Sequence, residues 1–333
     1  MKIAILGYGY WGPNLVRNFN NAKDCEVSWV FDMSEQQLIK VNNSHPNIKT
    51  TMLLDDVLND TETTAVAIAT PVFTHFKLAK MALLAGKHVL IEKPMTSSVT
   101  EANELIALAK EQGKILMVDH TYLYTDAVQK IKQLLDEGQI GKLQYIDSTR
   151  INLGLFQRDV NVLWDLAPHD ISICNYLMDE LPIAVQAVGV AHTDNNLANI
   201  AYLTLFYKNN QIAHFNCSWV SPVKIRQMLI GGDQKMILFN DLETTEKLRI
   251  YDKGYSVVPE SDRDRLLVDY RIGDITIPKI PQTEALGAMA KDFIQSIESN
   301  KQPLSSSKSG LEVVKILEAA EKSIQNKGEY IEF

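Results

Sequence analysis

Short apolar runs alternate with amphipathic stretches along the first third of the chain. Residues 3–6, 27–31 and 88–91 have the length and composition of strands that are buried on both faces. Residues 74–85 and 101–112 have the spacing of amphipathic helices, and a glycine follows each of them. The repeated order of strand, helix and strand predicts a doubly wound parallel sheet that is covered by helices on both faces.

The pattern changes after residue 120. One helix is predicted over residues 126–137, and the runs that follow alternate between apolar and polar positions or end at turns, which predicts a mostly antiparallel open sheet. A helix over 168–178 interrupts these runs, and Asn209 with Asn210 marks a hairpin turn. Two helices are predicted near the end of the sequence, with a loop at the serine-rich residues 305–309. The sequence therefore predicts an α/β domain at 1–120 and an α+β domain at 121–333.

Composition narrows the class of protein. The chain has 333 residues, of which 46% are hydrophobic and 22% charged, as expected for a globular enzyme with two cores. A formal net charge of −8 argues against nucleic acid as a partner. Cys25, Cys174 and Cys217 are too few and too far apart to suggest a disulfide framework or a metal cluster. Since no signal-like or membrane-spanning run is visible, we expect a cytoplasmic protein with no membrane partner.

The loop after the first apolar run carries the clearest chemical signal. Gly7, Gly9 and Gly12 have the spacing G-x-G-x-x-G between a predicted strand and a predicted helix. The first glycine permits a tight turn, the second lets backbone approach a pyrophosphate, and the third lets the helix pack on the strand. Tyr10 and Trp11 belong to the same loop, and Trp11 either flanks the pyrophosphate or packs the helix against the sheet. The loop predicts a dinucleotide-binding site.

A carboxylate at the end of the second strand specifies the dinucleotide. Asp32 follows Gly12 by about 20 residues, where a carboxylate can accept hydrogen bonds from both ribose hydroxyls. A 2′-phosphate would be repelled by Asp32 and would find no Arg or Lys at residues 33–35. The sequence therefore predicts NAD, and not NADP, as the cofactor.

Polar residues after the later strands are candidate site residues, because ligands of an open parallel sheet bind beyond the carboxyl ends of its strands. We expect Glu92 to contact the nicotinamide ribose and His75 to cap or pack on its helix. His120 either lines the nicotinamide pocket or satisfies a hydrogen bond in the core. The candidates on the cofactor side are Thr70, Pro71, His75, Glu92, Lys93 and His120.

Asp165 and His169 are the candidates in the second domain. They are four residues apart and share one face if the turn between them is helical. With Lys93 they are predicted to meet at the nicotinamide, where a dehydrogenase needs groups that handle a proton.

These motifs resemble those of a known family. The glycine loop, the Glu-Lys-Pro sequence at 92–94 and the spacing of Asp165 and His169 are similar to the Gfo/Idh/MocA oxidoreductases over nearly the whole chain. The resemblance implies a Rossmann domain, a second domain whose open sheet forms one wall of the substrate cleft, and homodimers or homotetramers built through that sheet. It also implies that Lys93 and His169 match the catalytic lysine and histidine, that Asp165 accompanies them, and that a cis bond precedes Pro94.

Three runs are similar to a narrower group within the family. Residues 7–19, 153–170 and 218–232 resemble nucleotide-sugar dehydrogenases that oxidise the C3 hydroxyl of UDP-N-acetylglucosamine or its uronic acid. The resemblance implies a small-molecule sugar substrate. A keto-sugar reductase, a free-sugar or inositol dehydrogenase, and a non-catalytic NAD- or sugar-sensing protein are the alternatives. The residues expected to meet the sugar or its phosphates are Gln157, Arg158 and Asn161.

The chemistry of alcohol oxidation calls for the same groups. A hydroxyl proton must leave when hydride leaves the carbon, so a base must lie near that oxygen. His169 is the predicted base, because imidazole can carry a proton in either direction near neutral pH. Lys93 is predicted to stabilise the developing alkoxide, and a neutral Lys93 that acts as the base is the alternative. Asp165 either orients the imidazole or positions a substrate hydroxyl.

Overall fold

The computed structural model describes residues 1–154, 156–157, 159–178, 180–257 and 268–333. These residues form two compact units, Met1–Thr125 with Thr283–Glu318 and Asp126–Gln282 with Ala319–Phe333. The sequence predicted one boundary at residue 120, which lies close to the first crossing. The chain also returns to the first unit near its end, and this return was not predicted.

The first unit is built on a parallel sheet of six strands. They are β1 (Lys2–Leu6), β2 (Glu26–Phe31), β3 (Lys49–Thr51), β4 (Thr63–Ile68), β5 (His88–Glu92) and β6 (Leu116–Asp119). The strand order is β3-β2-β1-β4-β5-β6, and each neighbouring pair is parallel. This order confirms the predicted Rossmann fold and places its reversal between β1 and β4, where such folds bind dinucleotides.

Helices cover this sheet. They are α1 (Gly12–Asn21), α2 (Glu35–Ser44), α3 (Leu54–Leu58), α4 (Val72–Leu84) and α5 (Val99–Glu111). Ser98 caps α5, since its hydroxyl accepts the Glu101 N–H at 3.3 Å. Helix α3 was not predicted, because five residues are too few to show a helical period. A short 3₁₀ turn, Thr121–Tyr124, follows β6.

The second unit contains a sheet of nine strands and two helices that lie early in its sequence. The helices are α6 (Asp126–Asp136) and α7 (Val162–Leu177). The strands of the sheet are β7 (Leu143–Leu153), β8 (Ala184–Val190), β9 (Ile200–Phe206), β10 (Ile212–Ser218), β11 (Val220–Gly232), β12 (Met236–Asn240), β13 (Leu248–Tyr251), β16 (Ile275–Thr276) and β17 (Ile331–Glu332). Their order in the sheet is β16-β13-β12-β11-β7-β10-β9-β8-β17. Strands β14 (Gly254–Val257) and β15 (Val268–Arg271) pair separately.

The pairing in the large sheet agrees with the predicted mostly antiparallel arrangement. Strands β7 and β10 are parallel, and the other described pairs of this sheet are antiparallel. Asn210 has a φ of 58° at the turn between β9 and β10, which confirms the predicted hairpin. Within the described part of the chain, no helix is long and apolar enough to cross a lipid bilayer.

Two helix starts differ from the prediction. Helix α7 begins at Val162, so Pro168 lies inside it and not at its start. The Asn161 Oδ1 accepts the N–H groups of Leu163 at 3.0 Å and Trp164 at 3.4 Å, and this cap fixes the earlier start.

The last two helices are α8 (Ala285–Ser299) and α9 (Ser307–Gln325), and the second difference is the start of α9. The serine-rich residues were predicted to form a loop, yet α9 begins among them. The Ser306 hydroxyl accepts the Ser309 N–H at 3.4 Å, so the serines provide helix-start hydrogen bonds.

Candidate active site

The three glycines of the first loop meet different surroundings. Gly7 has a φ of +99°, and a Cβ there would lie 2.7 Å from the Ala69 carbonyl oxygen. A Cβ on Gly12 would overlap the carbonyl oxygen of Gly7. A Cβ on Gly9 would meet no described atom within 4 Å. Packing within the protein therefore requires the first and third glycines, whereas the second faces open space of the kind that a pyrophosphate needs.

Two aromatic side chains stand beside this open space. Tyr10 is 84% exposed and Trp11 is 38% exposed, and their rings meet edge to face with centroids 5.3 Å apart. Trp11 occupies the N-cap position of α1, and among the described residues no side chain caps that helix start. The amide groups there remain available to an anion, as the predicted pyrophosphate site requires.

Asp32 connects the glycine loop to the end of β2. Its Oδ2 accepts the Tyr8 N–H at 2.7 Å, and its Oδ1 accepts the Ser34 N–H at 2.8 Å. Each carboxylate oxygen can accept a further hydrogen bond, so both can still receive a ribose hydroxyl. The position of this anchored carboxylate therefore fits NAD.

His75 links the loops that follow β4 and β5. Its Nδ1 lies 2.9 Å from the Pro94 carbonyl oxygen, and its Nε2 lies 2.8 Å from the Thr70 carbonyl oxygen. The ring is 1% exposed, and burial lowers the pKa of His75. The Lys93–Pro94 peptide bond is cis, as the resemblance implied. The His75 ring therefore lies between the Pro94 and Thr70 carbonyl groups, and as a neutral imidazole it donates to one of them.

Buried polar groups lie at the ends of β5 and β6, next to Lys93. Glu92 and Asp119 are register partners on these strands, and both side chains are buried. His120 is fully buried, and burial, with a smaller contribution from the Lys93 charge, lowers its pKa to about 3. Neither ring nitrogen of His120 has a hydrogen-bond partner among the residues described. The two free nitrogens therefore favour a role for His120 in contacting a ligand over a role as a core residue whose hydrogen bonds are satisfied.

Helix α7 carries the predicted groups of the second unit. Asp165 and His169 lie on one helical face, because the whole span between them is helical. Both are half-buried, whereas Trp164, Ala167 and Pro168 around them are buried. The Trp219 Nε1 donates to Asp165 Oδ2 at 3.0 Å. The helical face and the indole together fix the direction of the Asp165 carboxylate.

The other three residues predicted to meet the sugar are placed as follows. Asn161 is 5% exposed and caps α7. The Gln157 carbonyl oxygen accepts from Asn195 Nδ2 at 3.3 Å. Arg158 lies outside the described residues. Contacts of these three residues with substrate stay predictions.

Comparison with protein families decides the assignment. Residues 1–120 match the GFO_IDH_MocA model, described as an oxidoreductase family with an NAD-binding Rossmann fold, and residues 128–238 match the GFO/IDH/MocA C-terminal domain. The two matches together cover more than half of the chain. This chain belongs to the Gfo/Idh/MocA oxidoreductase family. Its six-stranded sheet is therefore the NAD-binding domain of an NAD-dependent oxidoreductase.

Similar proteins of this family extend along the whole chain. The UDP-N-acetylglucosamine 3-dehydrogenase of Acidithiobacillus ferrooxidans is 29% identical over 307 residues, 90% of this chain and 90% of that protein. A solved structure of that enzyme, GnnA, has 27% identity and a TM-score of 0.79, and covers 98% of this chain and 99% of that chain. A scyllo-inositol 2-dehydrogenase (NADP(+)) of Bacillus subtilis, IolW, is 25% identical, covering 98% of this chain and 94% of that protein. These similar proteins share one fold, and their names give different substrates.

Sequence reasoning overlooked two residues around the α7 site of this Gfo/Idh/MocA protein. Trp219 is separated from Asp165 by 54 positions, and Arg150 of β7 binds Asp170, the residue after His169. The Arg150 guanidinium makes two hydrogen bonds to Asp170, at 2.9 and 2.6 Å, with both side chains about 5% exposed. The buried ion pair anchors α7 to β7. A charged residue at an inward position of a predicted strand was the available signal.

Proposed function

We propose that this protein is an NAD-dependent dehydrogenase that oxidises the C3 hydroxyl of a nucleotide-linked sugar, such as UDP-N-acetylglucosamine or its uronate, to the ketone. The observation that carries the proposal is the single face of α7 that presents Asp165 and His169, with Asp165 held by Trp219. The similarity to a UDP-N-acetylglucosamine 3-dehydrogenase along 90% of the chain supports the substrate class.

The catalytic roles follow from the chemistry of the residues. When bound, NAD supplies the hydride acceptor. His169 takes the proton of the reacting hydroxyl, since hydride transfer requires that this proton leave. Lys93 holds the developing alkoxide as a cation. Asp165 is fixed by the indole of Trp219 and positions either the imidazole or a neighbouring sugar hydroxyl.

The cofactor proposal is NAD in preference to NADP. Asp32 stands at the end of β2 with both oxygens oriented by backbone N–H groups. A 2′-phosphate would meet this fixed negative charge, and residues 33–35 offer no cation. We expect NAD to bind more tightly than NADP, in contrast to the cofactor named for the inositol relative.

The assembly proposal is a homodimer or homotetramer formed through the nine-stranded sheet. Val188, Tyr202 and Ile212 lie on one face of this sheet and are 48%, 44% and 41% exposed, respectively. Apolar side chains of this kind on an open sheet favour association. Light scattering of the purified protein tests the state. A cytoplasmic location stays a prediction.

The activity test uses purified protein with NAD and a panel of UDP-N-acetylglucosamine, its uronate, the free sugar and scyllo-inositol. We expect NADH absorbance from the UDP-sugars. His169→Asn should lower the rate at least 100-fold, because general-base catalysis contributes on the order of 10²–10⁴. His192→Asn, in an exposed loop of the same unit, is the matched control.

Several results of this test would overturn the proposal. A free sugar or inositol oxidised in preference to the UDP-sugars would favour the alternative dehydrogenases of the family. NADH consumption with a keto-sugar, without the forward reaction, would favour a reductase. Binding of NAD with no turnover of any substrate would favour a sensing protein. An unchanged rate of His169→Asn would remove the assigned base.

A further inference from the structure

Two acidic side chains meet at the ends of neighbouring buried strands. Glu92 ends β5 and Asp119 ends β6, and the two are register partners in the parallel sheet. Glu92 is 8% exposed and Asp119 is 3% exposed. Glu92 Oε1 and Asp119 Oδ2 are both buried, and neither has a hydrogen-bond partner among the described residues. Since an ionised carboxylate has no hydrogen to donate, these two oxygens can be satisfied by each other only if one of the two groups holds a proton.

The positive charge around Glu92 and Asp119 is too small to keep both carboxyl groups ionised. Lys93 supplies one positive charge beside the pair. Two ionised carboxylates in contact would leave an excess negative charge in a site with little access to water, which is strongly unfavourable. The arrangement therefore resembles other pairs of buried carboxyl groups that hold one proton between them.

Hydrogen bonds distinguish the two members. Asp119 Oδ1 accepts the Thr121 hydroxyl, and the Thr121 backbone N–H also favours the ionised form of Asp119. Glu92 Oε1 and Asp119 Oδ2 lack a donor among the described residues. A proton on Glu92 satisfies both of these oxygens. Asp119 is thus the better acceptor and Glu92 the better donor.

We propose that Glu92 is a neutral carboxylic acid at neutral pH, that it donates its proton to the Asp119 carboxylate, and that the pair presents one negative charge beside Lys93. Burial and then the Asp119 charge raise the pKa of Glu92 well above its ordinary value. Burial also raises the pKa of Asp119, and the Thr121 hydroxyl and Glu92 oppose that rise.

Other titratable groups near the pair leave this charge unchanged. His120 follows Asp119 and is neutral, because burial lowers its pKa to about 3. Tyr124 donates to Asp292 Oδ2 of α8 at 2.6 Å, so that carboxylate already has a donor. Burial raises the pKa of Tyr124 and keeps the phenol neutral. Of the residues that the structure describes, Lys93 is the cation that interacts with the pair.

The shared proton also affects how Lys93 can act in catalysis. This part of the inference rests on the proposed function. The single negative charge of the pair interacts favourably with the charge of Lys93, and a cation is what the alkoxide-stabilising role requires. Glu92 and Asp119 would then be positioning residues that act through Lys93. The predicted contact of Glu92 with the nicotinamide ribose remains compatible, since a protonated carboxyl retains acceptor capacity.

Infrared spectroscopy of the protein without NAD or substrate tests the proton directly. At pH 7.5, exposed carboxyl groups are ionised, so the C=O stretch of a protonated acid reports a buried neutral carboxyl group. Protein grown with ¹³C-carboxyl glutamate should show this band shifted, and protein grown with ¹³C-carboxyl aspartate should show it unshifted. Glu92→Gln should abolish the band, because the amide can donate to Asp119 but is not an acid. Glu111→Gln, at the exposed end of α5, is the control and should retain it.

The outcomes separate the inference from the proposed function. Absence of the band in the unmodified protein overturns the inference, as does a shift with labelled aspartate alone or a band that persists in Glu92→Gln. The isotope measurement needs no substitution, so a variant that fails to fold does not prevent the test. Because no substrate is present, an inactive sugar panel would leave this result unaffected.

Discussion

The Trp219 indole donates a hydrogen bond of 3.0 Å to the Asp165 carboxylate, which joins the end of β10 to the first turn of α7. The indole is 1% exposed, and a Cβ on Gly154 would lie 2.8 Å from its ring. The Gly154 N–H also donates to the Trp219 carbonyl oxygen at 2.9 Å. The position of Asp165 therefore depends on a strand junction far from it in sequence.

Replacing Trp219 with Phe should reduce catalysis more than stability. The phenyl ring keeps most of the packing but has no N–H for Asp165, and a hydrogen bond to a charged group contributes about 1.5–3 kcal/mol. If Asp165 positions the reacting groups, kcat should fall about tenfold or more, with a smaller change in KM. Steady-state kinetics on the best UDP-sugar measure the effect.

Trp164→Phe provides the matched control. Its indole Nε1 donates to Glu321 Oε2 at 3.0 Å, so the substitution removes an equivalent hydrogen bond that does not involve Asp165. We expect a similar loss of thermal stability in both variants and a loss of kcat only in Trp219→Phe. Equal kcat values for the two would show that the indole contact has no role in positioning.

The glycine loop allows ligand binding to be separated from folding. Gly9→Ala adds a Cβ that meets no described atom, so the melting temperature should stay within a few degrees of the parent value. The same methyl group stands where backbone must approach a pyrophosphate, so the dissociation constant for NAD should rise about tenfold or more. Calorimetric titration with NAD measures this change.

Gly12→Ala should lower the stability of the protein, whereas Gly9→Ala should leave stability nearly unchanged. Its Cβ would overlap the Gly7 carbonyl oxygen, so we expect a lower melting temperature before any effect on binding is considered. Overpacking of this kind costs about 1–3 kcal/mol. If Gly9→Ala bound NAD as tightly as the parent protein does, the assignment of the open space at Gly9 to the pyrophosphate would be wrong.

Local signals explain why much of the fold could be predicted from sequence. Most strands of the first sheet are short apolar runs, with β3 as an exception, and Gly86 and Gly113 each adopt positive φ just after the C-cap of a helix. The glycine loop, Asp32 and Lys93 follow strand ends, and strand ends are read directly from such runs. Features that depend on a few neighbouring residues were therefore accessible.

Tertiary pairing explains what sequence reasoning missed. The register that brings Trp219 to Asp165 and Arg150 to Asp170 depends on the whole second sheet. The start of α7 was misplaced because Pro168 resembles a first-turn proline, whereas the cap at Asn161 lies seven residues earlier. The return of residues 283–318 to the first unit leaves no local mark in the sequence.

Breaking the buried Arg150–Asp170 pair should destabilise the second unit strongly. Arg150→Met leaves the Asp170 carboxylate buried without its charge partner, and removal of one member of such a pair costs about 3–5 kcal/mol. Urea unfolding should show a correspondingly lower midpoint. Lys80→Met breaks the exposed pair with Glu104, whose side chains are 43% and 47% exposed, and should change stability by only about 0–1 kcal/mol. Similar losses in the two variants would contradict the burial argument.

The proton held by Glu92 should make stability depend on pH in a definite direction. Its pKa is raised in the folded chain, so the folded state keeps a proton that the unfolded state releases above the ordinary value of 4.5. This contribution is complete below that value and is lost as pH rises toward the folded pKa. Above about pH 5, the unfolding free energy of the parent should therefore fall relative to that of Glu92→Gln as the pH rises, by up to about 1.4 kcal/mol per pH unit. Urea unfolding of both proteins across this range measures the difference, and a difference that stays constant with pH would mean that Glu92 is already ionised in the fold.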